Sequence, residues 1–487
     1  MKEKSLTKNS LYYLFYQIFN IVFPLASGIY VARILLPDAV GQVAYAQNIA
    51  NYFVVLAFMG IPTYGLREMA KARNDKEEAS KLYSELFFIN LISTIFFLVV
   101  YVGLILIVPS FREQIYLYLV TGISIAINAL NIDWLYEGLE EYRLISIRNL
   151  IFKAVSFLCL VLFVRGPDDY LIYASITVIG TSGNYIFNVI FSHRLVHLHI
   201  HGLNLKRHLK SILILSAVNI SIEISTMVDT TMLGAMISDK AVVAYYSYGS
   251  KIKGILLNII NTFTIVLVPR ISYYFSQKKY GEYNSLLTKT LKIILLLSVS
   301  MIIGIWFTAD YLVPAVYGEE FTRSTMVLKI LSLNLLISPV GYLLGSRVML
   351  VSDHEKWMPL CVGAGAVVNA GLNALFIPYY QEIGASITSV ISELVTTVVY
   401  IALSHKYFHI QSIKRTLINI GVAGAIIVGY LLGCSFIPLR GWIVVIIQIF
   451  GTILLYFGIL LIMKDDIVSG YFNKFKEKLR HRKGDEA

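Results

Sequence analysis

The sequence predicts an all-α polytopic membrane protein of about fourteen transmembrane helices: two pseudo-symmetric six-helix lobes plus a C-terminal helix pair. Three observations predict it. Of the 487 residues 57% are hydrophobic and only 15% charged, with a mean hydropathy of +0.70. A soluble chain of this length needs far more polar surface to cover its core. Apolar runs of about 20 residues, enough to cross a bilayer, follow one another with short loops between them. Finally, most of the 41 Lys and Arg fall in alternate loops and in the two tails, the positive-inside pattern.

Taken in order, the spans of the first half lie near 9–32, 39–61, 83–107, 115–135, 147–165 and 170–191. Those of the second half lie near 212–238, 242–268, 289–309, 326–350, 359–377 and 385–404, and a last pair follows at 417–437 and 441–463. The domain division is then 1–205, 206–410, 411–463 and a basic tail over 464–487. One membrane face holds few cations, namely Arg33, Arg112, Arg165, Lys240, Arg323 and Arg440. Both termini are therefore expected in the cytoplasm, and an even number of spans agrees.

The net charge of +11 would suit nucleic acid if it formed a basic face on a soluble domain. Here the cations sit between apolar spans, so no nucleic-acid partner is expected. Cys159, Cys361 and Cys434 lie far apart inside apolar runs, without CxxC spacing, so neither a disulfide framework nor a metal site is indicated. His193, His197, His199, His201 and His208 cluster beside Arg194, Lys206 and Arg207. That density resembles a ligand set, but the basic surroundings favour a solvated, headgroup-facing stretch, and no metal is expected. The N-terminal apolar run lacks a cleavage pattern and reads as an uncleaved first helix. No loop exceeds roughly 20 residues, too short for a catalytic domain, and no Walker A sequence is present.

Charge inside the spans is concentrated between Ser211 and Arg270, where two apolar runs meet at Ser238-Asp239-Lys240. Glu223, Asp229, Lys251 and Lys253 lie within those runs. A charge near the bilayer centre costs roughly 3 kcal/mol on insertion scales, so each should face a partner or a water-filled cavity. Asp229 and Lys251 each lie about 15 Å from the turn, and Glu223 and Lys253 roughly 20 Å, at 1.5 Å per residue. Pairs Asp229–Lys251 and Glu223–Lys253 are thus depth-matched. Lys251 and Lys253 are about 200° apart on the helix, so one lysine is expected to face a ligand and the other to pair. Structural ion pairs are the competing use. At an offset near 203 residues Tyr45 matches Tyr248, Ile49 matches Ile252 and Arg67 matches Arg270, so the two sets of six spans read as parallel repeats.

The opening spans carry Pro24, Tyr30-Val31-Ala32-Arg33, Gly41, Tyr45, Tyr52-Phe53 and Gly65-Leu66-Arg67-Glu68. Asp133-Trp134-Leu135-Tyr136-Glu137-Gly138 follows, then Val228-Asp229, Met232-Leu233-Gly234, Tyr245-Tyr246, Lys251-Ile252 and Val268-Pro269-Arg270. Asn369, Asn373, Ile377-Pro378, Gly384-Ala385 and Glu393 complete the series. In this order the segments resemble the Wzx-type polysaccharide (O-antigen and capsule repeat-unit) flippases. These share a superfamily with multidrug-and-toxin extruders and lipid II flippases. One departure is Leu36-Pro37, where that family usually has Gly-Pro.

The resemblance implies a transporter, not an enzyme, in the bacterial cytoplasmic membrane. Its cargo would be an undecaprenyl-diphosphate-linked oligosaccharide, moved to the outer leaflet by alternating access for capsule, O-antigen or exopolysaccharide synthesis. Membrane lipids, a polysaccharide polymerase and chain-length proteins are the implied partners. A diphosphate accepts strongly from Lys and Arg, which nominates Lys251, Lys253, Arg33, Arg67 and Arg270; lipid-headgroup anchoring is the other use of the arginines. Gln17, Asn20, Gln47, Asn48 and Asn51 suit either sugar hydroxyls or interhelical hydrogen bonds. Glu393, with Asn369 and Asn373, suits either a coupling site or a structural hydrogen bond. No cofactor is implied, and coupling to H⁺, Na⁺ or the membrane potential stays open. The rival readings are a lipid II-type flippase, a cation-coupled drug exporter, a membrane glycosyltransferase or polymerase, and a structural scaffold. The glycosyltransferase or polymerase is disfavoured by the short loops, and the scaffold by the midplane charges.

Overall fold

The computed structural model describes residues 6–265, 267–436 and 441–484, and every regular element among them is helical. Eleven helical stretches are long and apolar enough to cross a membrane. Two of them, Val22–Ala72 and Glu355–Tyr407, each cover two of the expected spans, because the chain turns inside them without leaving helical hydrogen bonding for long. The expected span near 212–238 falls on a further helix of 31 residues. The polytopic all-α prediction therefore holds, with the count standing at eleven among the described residues.

The chain forms two compact units, Met1–Ala244 and Tyr245–Ala487. The first contains α1 (Leu6–Phe58), α2 (Ile61–Ala72), α3 (Lys76–Ile107), α4 (Pro109–Glu113) and α5 (Ile115–Asn128). It continues through α6 (Asp133–Gly138), α7 (Tyr142–Phe163), α8 (Tyr170–Ser182), α9 (Asn184–Ser192) and α10 (Lys206–Met236). The boundary falls near the start of α11 (Ala241–Ile265). Beyond it come α12 (Val268–Ser276), α13 (Tyr280–Tyr317), α14 (Ser324–Leu331), α15 (Asn334–Gly341), a π-helical turn Tyr342–Arg347 and α16 (Val348–Val351). The second unit closes with α17 (Met358–Ser404), α18 (Lys414–Ser435), α19 (Trp442–Ile462) and α20 (Asp466–Gly484).

Local signals set several helix ends. Asp75 caps α3 by accepting from the backbone N–H of Glu77 and Glu78 at 3.0 and 3.1 Å, satisfying donors the helix cannot. Pro62 and Pro109 open α2 and α4, where a missing N–H costs nothing. Along α3, Ile92, Ile95, Phe96 and Val99 are all more than half exposed. Their spacing of three and four places them on one stripe, as a lipid-facing surface requires.

The Asp133–Gly138 segment explains itself as packing. A Cβ on Gly65 would sit 2.7 Å from the Trp134 ring, and one on Gly138 would sit 2.7 Å from Met69. These two glycines let α2 and α6 cross closely over buried Ile61, Met69, Trp134 and Tyr136. Asn188 donates to Asp133 at 2.6 Å and accepts from Arg148 at 2.8 Å, so the carboxylate is held inside the first unit. In the second unit Leu296, Ile427, Leu431, Tyr456 and Leu460 form one core, which seats α18 and α19 on α13. The Tyr456 hydroxyl donates to the Leu296 carbonyl at 2.9 Å.

Both internal turns carry strain. Leu36 adopts φ 63°, ψ 167° and Gln381 adopts φ 49°, ψ −128°, regions in which a side chain costs about 1–3 kcal/mol. The Leu-Pro departure thus sits where glycine relieves a clash. Leu36 is 42% exposed, so little burial is lost with its side chain. Leu36→Gly is expected to raise the thermal midpoint, with a gain of about 1 kcal/mol. A midpoint at or below that of the wild type would mean that position 36 is not held in this conformation.

Candidate functional site

The polar groups inside the spans fall into sets, each within one unit. In the first unit they line the packing of the second half of α1 against α10. Asn48 donates to the Thr231 hydroxyl at 2.7 Å and to the Met227 carbonyl at 3.3 Å. The hydroxyls of Thr231 and Tyr52 stand 2.9 Å apart. Asn48 is therefore engaged between helices, one of the two uses expected of it. The Gln47 amide nitrogen is buried with no partner among the described residues, and Asn51 is exposed. Asp229 is 4% exposed, whereas Glu223, two turns earlier, is exposed. Arg33 is exposed near the turn at Leu36. The side chains of Gln17 and Asn20 lie outside the described ones.

At the other end of this unit, Arg67 bonds Glu68 at 3.0 Å and lies over the Tyr64 ring at 5.7 Å. Behind it is a network the sequence reading missed. Glu85 is fully buried on α3 and accepts from the Asn204 backbone N–H at 2.7 Å and from Arg207 Nε at 2.9 Å. His208 Nε2 stands 2.7 Å from the same carboxylate, and its Nδ1 stands 2.7 Å from the Tyr64 hydroxyl. Ser80 and Ser84 accept from the backbone N–H of His197 and His199 at 3.0 and 2.8 Å. The segment from α9 to α10 is thus strapped along α3. This corrects the reading of the histidine cluster as wholly solvated: His193, His197 and His201 are exposed, but His208 is 4% exposed. A basic loop looked like a surface because its acidic partner lies more than a hundred residues earlier.

In the second unit Lys251 is exposed within α11, its ammonium 4.3 Å from the centre of the Tyr248 ring. That geometry stabilises a cation without neutralising it. Lys253 is half-buried and Arg270 is exposed on α12. Asn373 donates to Asn369 at 3.1 Å, Asn369 is 3.5 Å from the Ser392 hydroxyl, and Thr388 donates to Asn373. These amides are therefore bonded across the two halves of α17. Glu393 turns instead into a cavity of about 330 Å³ lined by Asn261, Thr264, Tyr342, Arg347, Thr397 and Tyr400 among others.

Arg347 is the residue of this cavity that sequence reasoning missed. It donates to the Tyr342 hydroxyl at 2.8 Å and lies 4.4 Å over that ring. On an α-helix residues five apart point in different directions. The π-helical turn Tyr342–Arg347 brings them together, and such turns concentrate at functional positions. The cavity so gathers a guanidinium, a carboxylate and several hydroxyls against apolar walls, a composition that suits a charged, hydroxyl-rich ligand.

The repeat is visible in the packing of each unit. Tyr45 meets Phe111, just after the third expected span, with ring centres 6.3 Å apart. Tyr248 meets Tyr317 and Phe321, just after the ninth, at 4.5 and 4.7 Å. Each tyrosine also has a lysine ammonium over its ring, Lys240 at 5.2 Å and Lys251 at 4.3 Å.

Helices of this length and apolarity, with similar packing in each unit, define a polytopic all-helical membrane protein. The fold is one also found in a lipid II flippase and in multidrug resistance transporters. The chain is similar to the lipid II flippase MurJ in an inward closed conformation, with a TM-score of 0.75 at 16% identity over 94% of this chain and 99% of that one. It is also similar to an inward-facing multidrug resistance MATE family transporter, with a TM-score of 0.65 at 14% identity over 79% and 93%. Within that fold the chain belongs to the polysaccharide biosynthesis protein family, whose profile matches residues 6–275. Among curated relatives, a putative O-antigen transporter of Escherichia coli (strain K12) is 22% identical over 402 residues, covering 81% of this chain and 95% of its own length. A probable low-salt glycan biosynthesis flippase, Agl15 of Haloferax volcanii, is 24% identical over 238 residues, 48% of this chain and 49% of its own. The expected likeness to Wzx-type flippases thus stands on the family, the relatives and the fold.

Proposed function

We propose that this protein is a flippase for undecaprenyl-diphosphate-linked oligosaccharides in the bacterial cytoplasmic membrane, with both termini in the cytoplasm. The observation that carries the reading is Lys251, an exposed cation in the middle of a membrane-length helix, with an aromatic ring beneath it. A lysine kept for structure is buried against a carboxylate; one exposed at that depth is suited to a passing anion. Lys251 and Lys253 receive the diphosphate, and Arg33, Arg67 and Arg270 attract it near the membrane faces. Gln47 and Asn51 on α1 contact sugar hydroxyls, while Asn48 keeps its bonds to Thr231 and Met227. Glu223, Asp229 and Glu393 are the ion-pair or coupling groups of this reading, taking a coupling H⁺ or Na⁺ where one is used.

The division into 1–205, 206–410, 411–463 and 464–487 belongs to this reading, with alternating access carried by the two six-span parts. A membrane potential negative inside favours outward movement of an anion by about 2.3 kcal/mol per charge per 100 mV. A dianion therefore has a substantial drive without an obligate coupling ion. The polymerase and chain-length proteins that use the delivered repeat unit are the proposed partners.

The test is accumulation of lipid-linked oligosaccharide in cells depleted of the protein. The intermediate is expected to build up on the cytoplasmic leaflet and to clear when wild type is restored. Lys251→Ala with Lys253→Ala is expected to clear it at least about tenfold more slowly, the loss of one charge-assisted contact. Equal clearance by the double variant would remove the lysines from the mechanism. Absence of any build-up, with altered drug sensitivity instead, would favour the exporter reading.

A further inference from the structure

A second polar cavity, of about 630 Å³, lies within the second unit on the face expected outside, where α13, α14 and the turn inside α17 meet. Its wall includes Asp310, Arg323, Thr325, Lys329, Tyr379 and Tyr380. Tyr379 and Tyr380 are 82% and 59% exposed, an unusual allowance of aromatic surface beside so many polar groups. Arg323 is held in a fork by Glu382, with Nε and Nη2 each at 2.8 Å from a carboxylate oxygen, and Nη2 also bonds Gln381 at 2.8 Å. Glu382 is 1% exposed, so it fixes the plane of a guanidinium that is itself half exposed. Lys329 bonds Asp310 at 2.7 Å across the same cavity.

Two further observations point to a ligand. Thr325 is 5% exposed, lines the cavity, and its hydroxyl has no partner among the described residues; such a buried hydroxyl is normally satisfied. Gln381, between the tyrosines and Glu382, holds the strained backbone described above, and strain of that kind concentrates at binding sites. Rigid aromatic faces pack against the C–H face of a pyranose ring. Planar amide, carboxylate and guanidinium groups in fixed orientation suit its hydroxyls. The volume falls in the range of small-ligand sites.

We propose that this cavity is an outer-face glycan site, which holds the oligosaccharide after translocation and before it is passed on. Tyr379 and Tyr380 form the stacking platform, and Arg323, Gln381, Lys329 and Thr325 bond the hydroxyls. The identity of the glycan as the transported repeat unit rests on the flippase reading above.

The experiment uses the full chain in lipid nanodiscs and, as probe, the oligosaccharide released by mild acid from the host's lipid-linked pool, free of lipid and diphosphate. Binding is read by saturation-transfer NMR and calorimetry. Tyr379→Ala with Tyr380→Ala removes only exposed side chains and is expected to weaken binding about tenfold or more, as loss of two aromatic anchors does. Thr325→Val is expected to weaken it about threefold. If the tyrosines are only interfacial membrane anchors, the double variant binds as the wild type does, and the proposal falls. It falls equally if inorganic pyrophosphate binds in place of the glycan and the tyrosines do not matter. Clearance of accumulated lipid-linked oligosaccharide by wild type separates the two readings. Clearance without glycan binding overturns this site and leaves the flippase; tyrosine-dependent binding without clearance overturns the flippase and leaves the site.

Discussion

Glu85→Ala is expected to destabilise the first unit by roughly 3–5 kcal/mol, the usual consequence of removing one partner of a buried ionic network. The carboxylate is fully buried and is shared by Asn204, Arg207 and His208. Its loss leaves a buried imidazole facing a void and frees the strap between α9 and α10. Glu85→Gln keeps an acceptor for the Asn204 N–H but not the charge opposite Arg207, so a smaller loss is expected. The order wild type, Gln, Ala should appear in the thermal midpoint of the detergent-solubilised protein and in protease cleavage near residues 196–205. Adding Arg207→Ala to Glu85→Ala should return part of the loss, because the unpaired cation goes with it. Three indistinguishable melts would show that the strap does not depend on this carboxylate.

The same residue shows what was legible in the sequence and what was not. Span lengths and the family segments were readable because each depends on neighbours in the chain, twenty apolar residues or a glycine beside an aromatic, and the repeat because the same letters recur at a constant offset. The bonds of Glu85 depend on residues 119 to 123 positions away, so nothing near it in the sequence singled it out. The glycines were visible as motif letters, but their reasons were not; Gly65 and Gly138 become intelligible only when α2 and α6 are seen to cross. Arg347 lies inside the span expected at 326–350 and was not singled out. Its contact with Tyr342 needs a helix with five residues per bonded turn, which no side-chain periodicity announces. Leu36 is the opposite case. Its departure from Gly-Pro was plain in the sequence, and the backbone there has the glycine-favoured conformation.

Gly41→Ala carries the other large effect. A Cβ at position 41 would stand 1.8 Å from the backbone oxygen of Lys240, and one at Gly234 would stand 2.1 Å from the Tyr45 ring. These contacts seat the far end of α10 on α1, where the Lys240 ammonium also bonds the Gly234 and Ile237 carbonyls at the helix end. A basic group at a helix C-terminus is favourable there, although burial pushes the Lys240 amine below its usual range against the opposing pull of Asp38 and Asp239. Overpacking generally costs about 1–3 kcal/mol when side chains can give way. At Gly41 the obstacle is main chain, so the cost should exceed that of Gly234→Ala, where the Tyr45 ring can turn. Gly254 has nothing within 4 Å of its Cβ position, which makes Gly254→Ala the control. Melts are expected in the order Gly254→Ala, Gly234→Ala, Gly41→Ala, from most to least stable. If α10 must return to this seat in each transport cycle, clearance of lipid-linked oligosaccharide follows the same order. A Gly41→Ala protein that melts and transports like the Gly254→Ala control would show that α10 does not close onto α1 at this point.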